Sequence, residues 1–125
     1  MDADGDLDLF VAFRDRPNAL FRNEGSRLTD IAAEVGLADT RRSVGAVWAD
    51  LDADGDLDLI VGNMDGDANA VFRNDGGRFT DVSEKAGIFA PEMAFGLGLG
   101  VSDLNGDGWT DIYISNDFFE HDYVY

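Results

Sequence analysis

The octapeptide DADGDLDL occurs twice, at residues 2–9 and 52–59, and a variant of the same pattern, DLNGDGWTDI, occupies residues 103–112. Around the second copy, five aspartates alternate through nine residues: Asp50, Asp52, Asp54, Asp56 and Asp58. Two unit charges 4 Å apart repel by ~1 kcal/mol in water and ~4 kcal/mol near a protein surface, so such a cluster calls for a neutralising partner. The flanks repeat as well. NALFRNEGSRLTDIAAEVGL (18–37) matches NAVFRNDGGRFTDVSEKAGI (69–88), SVGAVWAD (43–50) matches GLGLGVSD (96–103), and HDYVY (121–125) matches the start of the 18–37 block. Asp8, Asp58 and Asp111 fall at one place of a unit about 51 residues long. A chain with this period folds as a series of similar units, each stacked on its neighbours.

Each unit reads as four short strands. Residues 44–49 lead into the acidic loop, 57–62 leave it, and 70–73 and 78–82 form the third and fourth, joined through Asn74, Asp75, Gly76 and Gly77, which supply positive-φ turn residues. SEKAGI (83–88) predicts one helical turn, with Ser83 as cap and Gly87 as stop, and IAAEVGL (31–37) does the same one unit earlier. Four-stranded units of this length predict an all-β chain of antiparallel β-propeller blades, here as an incomplete propeller segment. The expected division is a partial blade (strands two to four) with its connecting helical turn at 1–42, a full blade with connector at 43–95, and a partial blade (strands one to three) at 96–125. Gly96, Gly98 and Gly100, with Gly45 in the equivalent strand, predict a crowded innermost strand.

The acidic loops match the needs of calcium, which takes six to eight oxygen ligands. Carboxylates at the first, third, fifth and ninth places can surround the ion, a glycine at the sixth permits the turn, and the seventh offers a backbone carbonyl. In the middle loop these places are Asp50, Asp52, Asp54, Gly55, Asp56 and Asp58; in the last they are Asp103, Asn105, Asp107, Gly108, Trp109 and Asp111. The first loop offers Asp2, Asp4, Gly5, Asp6 and Asp8, and its first-place ligand would precede Met1. An EF-hand needs Glu at the twelfth place and flanking helices, whereas Val61 and Ile114 stand there and β-branched runs follow. Magnesium prefers fewer protein ligands. Zinc lacks its usual partners, with no Cys and His121 as the single His.

The frame DLDADGDLDLIVGN, followed by NAVFRNDGGRFTDVSEKAGI, resembles the FG-GAP (VCBS-type) repeats of integrin-α-like β-propellers, in the bacterial and cartilage-acidic-protein branch. That branch runs F-T-D-V, A-G, G-x-G, D-x-D-x-D-G-D-L-D-L, then N-x-L-x-R-N. The resemblance implies a seven-bladed propeller, typically extracellular, with calcium in the loop between the first and second strands.

Composition narrows the partners. Twenty-six acids against nine basic residues give a formal net charge of -17, which argues against nucleic acid and anionic membranes. An acid-rich surface suited to high salt would account for the surplus but not for the two-residue spacing. No run approaches the roughly 18 apolar residues of a membrane helix. His121, between Glu120 and Asp122, reads as a surface histidine; Trp48, Phe95 and Trp109 read as core or loop packing; Arg22 and Arg73 read as blade-to-blade partners. GLGLG (96–100) has no following Lys or helix and is not a phosphate loop. The expected function is a calcium-binding, non-catalytic scaffold for protein or glycan binding and adhesion, at the cell surface, outside the cell or in the periplasm. The alternative is a structural part of a larger secreted enzyme or electron-transfer protein. Blades cut at both ends would be completed by the rest of a longer chain or by self-association.

Overall fold

The computed structural model describes residues 4–88, 96–117 and 121–125. Three antiparallel sheets follow one another along the chain. Sheet A joins β1 (Leu9–Val11), β2 (Ala19–Asn23) and β3 (Leu28–Asp30) in that order. A short helix, α1 (Ala32–Val35), leads to sheet B, which orders β4 (Ser43–Ala49), β5 (Asp58–Asn63), β6 (Ala70–Asn74) and β7 (Phe79–Asp81). Sheet C joins β8 (Gly96–Ser102), β9 (Asp111–Asn116) and β10 (Tyr123–Val124). The four strands of sheet B lie within one residue or so of the predicted spans.

Within sheet B, β5 is buried on both faces, which explains the near-continuous apolar run LDLIVGN. Strand side chains alternate between faces. Leu59, Val61, Ala70 and Phe72 point into a core shared with Leu20, Ile31, Ala32 and Leu37 from sheet A and its connector. Ile60 and Val71 point the other way, into a core shared with Ile112 and Ile114 of sheet C and Ile88 of the next connector. All six residues of β5 are buried. Trp48 packs edge-on between Phe10 and Phe79, at 6.2 and 5.8 Å between ring centroids, as core packing predicted.

The connector after each sheet docks on the next one. Gly36 ends α1 in the left-handed region at φ 94, where an L side chain is strained. A Cβ on it would stand 2.5 Å from the carbonyl oxygen of Phe79 in β7, so the backbones of two units touch here. The equivalent stretch at 83–88 makes turns rather than the predicted helix. Ser83 does not cap it. Its Oγ accepts the Val71 N–H at 2.9 Å, while its own N–H donates to Asp81. Asp81 draws the segment back to the sheet and leaves no free helix start.

Charged groups tie the same joints. Arg41 donates to Asp39 at 2.7 Å and reaches Asp81 at 2.6 Å, 40 residues away. Arg42 donates both its backbone N–H and its Nε to Asp67 Oδ2, each at 2.8 Å, and Arg14 meets Asp65 at 3.1 Å. Arg73 pairs with Asp75 of its own hairpin, and Arg22 meets Glu24 in the same way, so these contacts are not the expected blade-to-blade pairs. The side-chain bond from Arg42, with its backbone N–H, holds the Asp67 carboxyl below its ordinary value. A carboxyl depressed on folding adds stability that is present above its unfolded pKa of about 3.9 and lost as pH falls through the lower folded value. Asp67 is therefore expected to titrate below a free aspartate by NMR, and Arg42→Ala to return it toward that value. An Asp67 that titrates at or above about 3.9 in the unsubstituted chain contradicts the Arg42–Asp67 pairing.

A buried polar chain crosses from sheet A to sheet B. Asn18 Nδ2 donates to Ser43 Oγ, and Ser43 Oγ donates to Asn63 Oδ1, each at 2.8 Å. The innermost strands are less crowded than predicted. A Cβ on Gly98 would approach Ser115 Oγ at 2.8 Å, but nothing lies within 4 Å of one on Gly45 or Gly100. A groove lies between β4 and β8, lined by Gly45, Ala46, Leu97 and Gly98 among others. No helix among the described residues is long and apolar enough to cross a membrane.

Candidate metal loops

The middle and last acidic loops each close the hairpin between the first and second strands of a unit, β4–β5 and β8–β9, and the first leads into β1. In sheet B, Ala49 pairs with Asp58, so Asp50 and Asp58 leave and enter the ladder side by side. Between them the chain turns through Ala53 at φ 59 and Gly55 at φ 95, which folds Asp52 back toward both. The sixth place is left-handed in all three loops, at Gly5, Gly55 and Gly108, and this is the physical need behind its glycine.

The carboxylates of Asp50, Asp52 and Asp58 bring one oxygen each within 4.8 Å of the others. Asp58 is almost fully buried. Its Oδ2 accepts the Leu51 N–H at 2.9 Å and its Oδ1 the Asn74 N–H at 2.8 Å. Asp50 Oδ2 accepts the Gly55 N–H at 3.2 Å, whereas Asp50 Oδ1 is buried with no hydrogen-bond partner among the described residues. Desolvation first, then the charges of Asp54, Asp58 and Asp50, push the Asp52 carboxyl above its ordinary value. The protein atoms alone thus leave the three charges in mutual repulsion.

Asp54 is not within that trio, and its Oδ1 accepts the Asp56 N–H at 2.8 Å. Asp56 stands at the seventh place, where only a carbonyl is required of it. Its side chain takes a different task and accepts the Gly76 N–H of the β6–β7 hairpin at 2.9 Å. That hairpin is left-handed at Gly76 and Gly77, not at Asn74 or Asp75.

In the last loop Asp103 gathers backbone donors, with Gly106 at 2.7 Å on Oδ1 and Gly108 at 3.0 Å on Oδ2. Asp111 Oδ2 accepts the Leu104 N–H at 2.8 Å, as Asp58 does for Leu51. Asn105 Oδ1 accepts the Asp107 N–H at 2.8 Å, and Asp107 Oδ1 the Trp109 N–H at 2.9 Å. Asp103, Asp107 and Asp111 do not converge as the middle trio does; among the described residues that trio is the one group of acids drawn together. Trp109 is 58% exposed at the loop tip rather than packed. In the first loop Asp4 Oδ1 accepts the Asp6 N–H and Asp8 Oδ1 the Asn23 N–H, both at 2.9 Å. Asp2 and Phe95 lie outside the described residues.

Asn23 was not singled out from the sequence and Asn74 was read there only as a turn residue, yet the two fix the ninth-place aspartates. Each donates its N–H to Asp8 or Asp58 and its side-chain Nδ2 to the carbonyl of Leu7 or Leu57. The available signal was the invariance of Asn in the two F-R-N copies, and its place before a turn hid it.

Sequential antiparallel sheets, packed face to face and each turned at an Asp-rich loop, define a propeller-repeat chain. The FG-GAP-like repeat model matches residues 1–61 and 50–114, and the chain belongs to that family, whose repeats form β-propeller blades. It is 34% identical to rat integrin alpha-7 over 128 aligned residues, which cover 87% of this chain and 11% of that protein. Mouse integrin alpha-7 is 35% identical over 103 residues, 72% of this chain and 9% of that protein. Mouse cartilage acidic protein 1 is 32% identical over 90 residues, 71% of this chain and 14% of that protein. The chain thus spans about a tenth of the length of these relatives.

Proposed function

We propose that this chain is a calcium-stapled set of propeller blades, the units 1–42, 43–95 and 96–125, that serves as a non-catalytic scaffold for binding a protein or glycan outside the cell or at its surface. The observation that carries the metal assignment is the convergence of Asp50, Asp52 and Asp58 with one buried carboxylate oxygen of Asp50 left unpartnered. A set of oxygen donors with no thiol fits a hard cation, and the number of carboxylates favours calcium over magnesium. Asp50, Asp52, Asp54 and Asp58 would hold it with the Asp56 carbonyl. Asp103, Asn105, Asp107 and Asp111 would do so with the Trp109 carbonyl, and Asp2, Asp4 and Asp8 with the Asp6 carbonyl. The ion supplies charge neutralisation and loop rigidity. Relatives that are an integrin alpha chain and a protein of cartilage support the adhesion setting.

Calorimetric titration tests the metal. Calcium is expected to bind with a Kd of roughly 10⁻⁴–10⁻³ M or somewhat tighter, and magnesium more weakly. No calcium binding below about 10 mM would overturn the proposal, since even weak extracellular modules bind well under that level.

A further inference from the structure

The polar chain between sheets A and B has a counterpart between sheets B and C, with one group missing. Asn18 and Asn69 are equivalent. Each offers its side-chain oxygen to a backbone N–H, that of Phe13 at 2.8 Å or of Asn63 at 2.9 Å. Asn63 and Asn116 are equivalent as well. Each takes such a clip on its own N–H, from Asn69 or from Asp122 at 2.9 Å, and each donates Nδ2 to a loop carbonyl, of Ala68 or of His121. Ser43 pairs with Asn63 in the β4–β5 ladder, and Gly96 pairs with Asn116 in the β8–β9 ladder, with the same register shift one residue later.

Only the residue at the joint differs. Ser43 Oγ accepts from Asn18 and donates to Asn63, and it satisfies both. Glycine at 96 has no hydroxyl. The two atoms that a hydroxyl there would join, Asn69 Nδ2 and Asn116 Oδ1, are both buried, and both lack a partner among the described residues. Asn69 is fully buried, so bulk solvent does not reach its amide. Buried polar groups are almost always satisfied by protein or by ordered water.

We propose that the joint between sheets B and C binds one ordered water, which accepts from Asn69 Nδ2 and donates to Asn116 Oδ1 in the place that the Ser43 hydroxyl takes between sheets A and B. The joint is polar and offers one donor and one acceptor, and a serine side chain exceeds that of glycine by about the volume of one water. The two joints then differ in kind. One is closed by a covalently attached hydroxyl and the other by a molecule that exchanges with solvent.

Three forms of the chain test this, with Gly96 unchanged, Gly96→Ala and Gly96→Ser. The unsubstituted chain is expected to show a long-lived water–amide NOE at the Asn69 side chain. Gly96→Ser should abolish that NOE and raise the Tm above that of Gly96→Ala by roughly 3–6 °C, because both substitutions add the Cβ and only one adds the hydroxyl. Equal Tm values for the Ser and Ala variants would overturn the proposal. So would an Asn69 amide in the unsubstituted chain with no water contact, and that measurement holds even if neither variant folds.

Discussion

Chelator is expected to lower the melting temperature of this chain, millimolar calcium to restore it, and Asp52→Asn to reverse the order of stabilities between the two conditions. A ligand bound by the folded state alone adds RT ln(1 + [L]/Kd), about 2.7 kcal/mol per site at a hundredfold excess. For a domain of this size that is a shift of roughly 10 °C. Asp52 is the informative position because its carboxyl is pushed above its ordinary value by desolvation and by the neighbouring charges. Without metal, removal of its charge relieves repulsion, and the variant should melt no lower than the parent. With calcium, removal of a ligand should leave the variant below the parent. Asp58 would not separate these effects, since it also holds the Leu51 and Asn74 N–H groups. Asp75→Ala is the control, because it removes a surface pair with Arg73 and touches no loop ligand. Its effect should stay within about 1 kcal/mol and be the same in both conditions. A Tm indifferent to chelator would reduce the loops to solvated turns.

Gly36→Ala is expected to destabilise the chain by more than about 3 kcal/mol, among the larger effects of a single methyl group. Two costs add. The residue sits at φ 94, where a Cβ is strained, and that Cβ would meet the Phe79 carbonyl at 2.5 Å. The obstacle is backbone and cannot rotate away, so the connector must lift from β7 and loosen the core around Leu37 and Phe79. Gly100→Ala tests the opposite case. Its φ is ordinary and no atom lies within 4 Å of the added Cβ, so Ala there should be neutral or should stabilise by about 0.4–1 kcal/mol through the unfolded chain. Thermal melts of the two variants decide it. A Gly36→Ala chain that melts with the parent would mean that connector and strand are not in contact.

The repeated Asp–Gly loops and the strands beside them were legible because their constraints are local. A left-handed sixth place needs glycine, and alternation within LDLIVGN needs two cores. What was not legible depends on neighbours brought together over long separations. Nothing local foretells that the Asp56 side chain accepts the Gly76 N–H of the β6–β7 hairpin, 20 residues away. Arg41 carried no signal, since its partner Asp81 is 40 residues away and reaches it only through the docked connector. Gly45 and Gly100 looked crowded because glycine in a strand often is, yet a Cβ on either would meet nothing within 4 Å, and that room depends on neighbours distant in the chain. The convergence of Asp50, Asp52 and Asp58, without Asp54, likewise depends on where the loop folds back and not on residue type.

The Gly36–Phe79 contact bears on how such an array grows. The glycine that closes a connector recurs at Gly87, and the strand that receives it, β7, has its counterpart in β3 of sheet A. A unit therefore carries a plug at one end and the matching socket on its outer strand. Tandem duplication of one such cassette would insert a copy whose two joints already fit those on either side, so blades can be added without a new interface having to evolve.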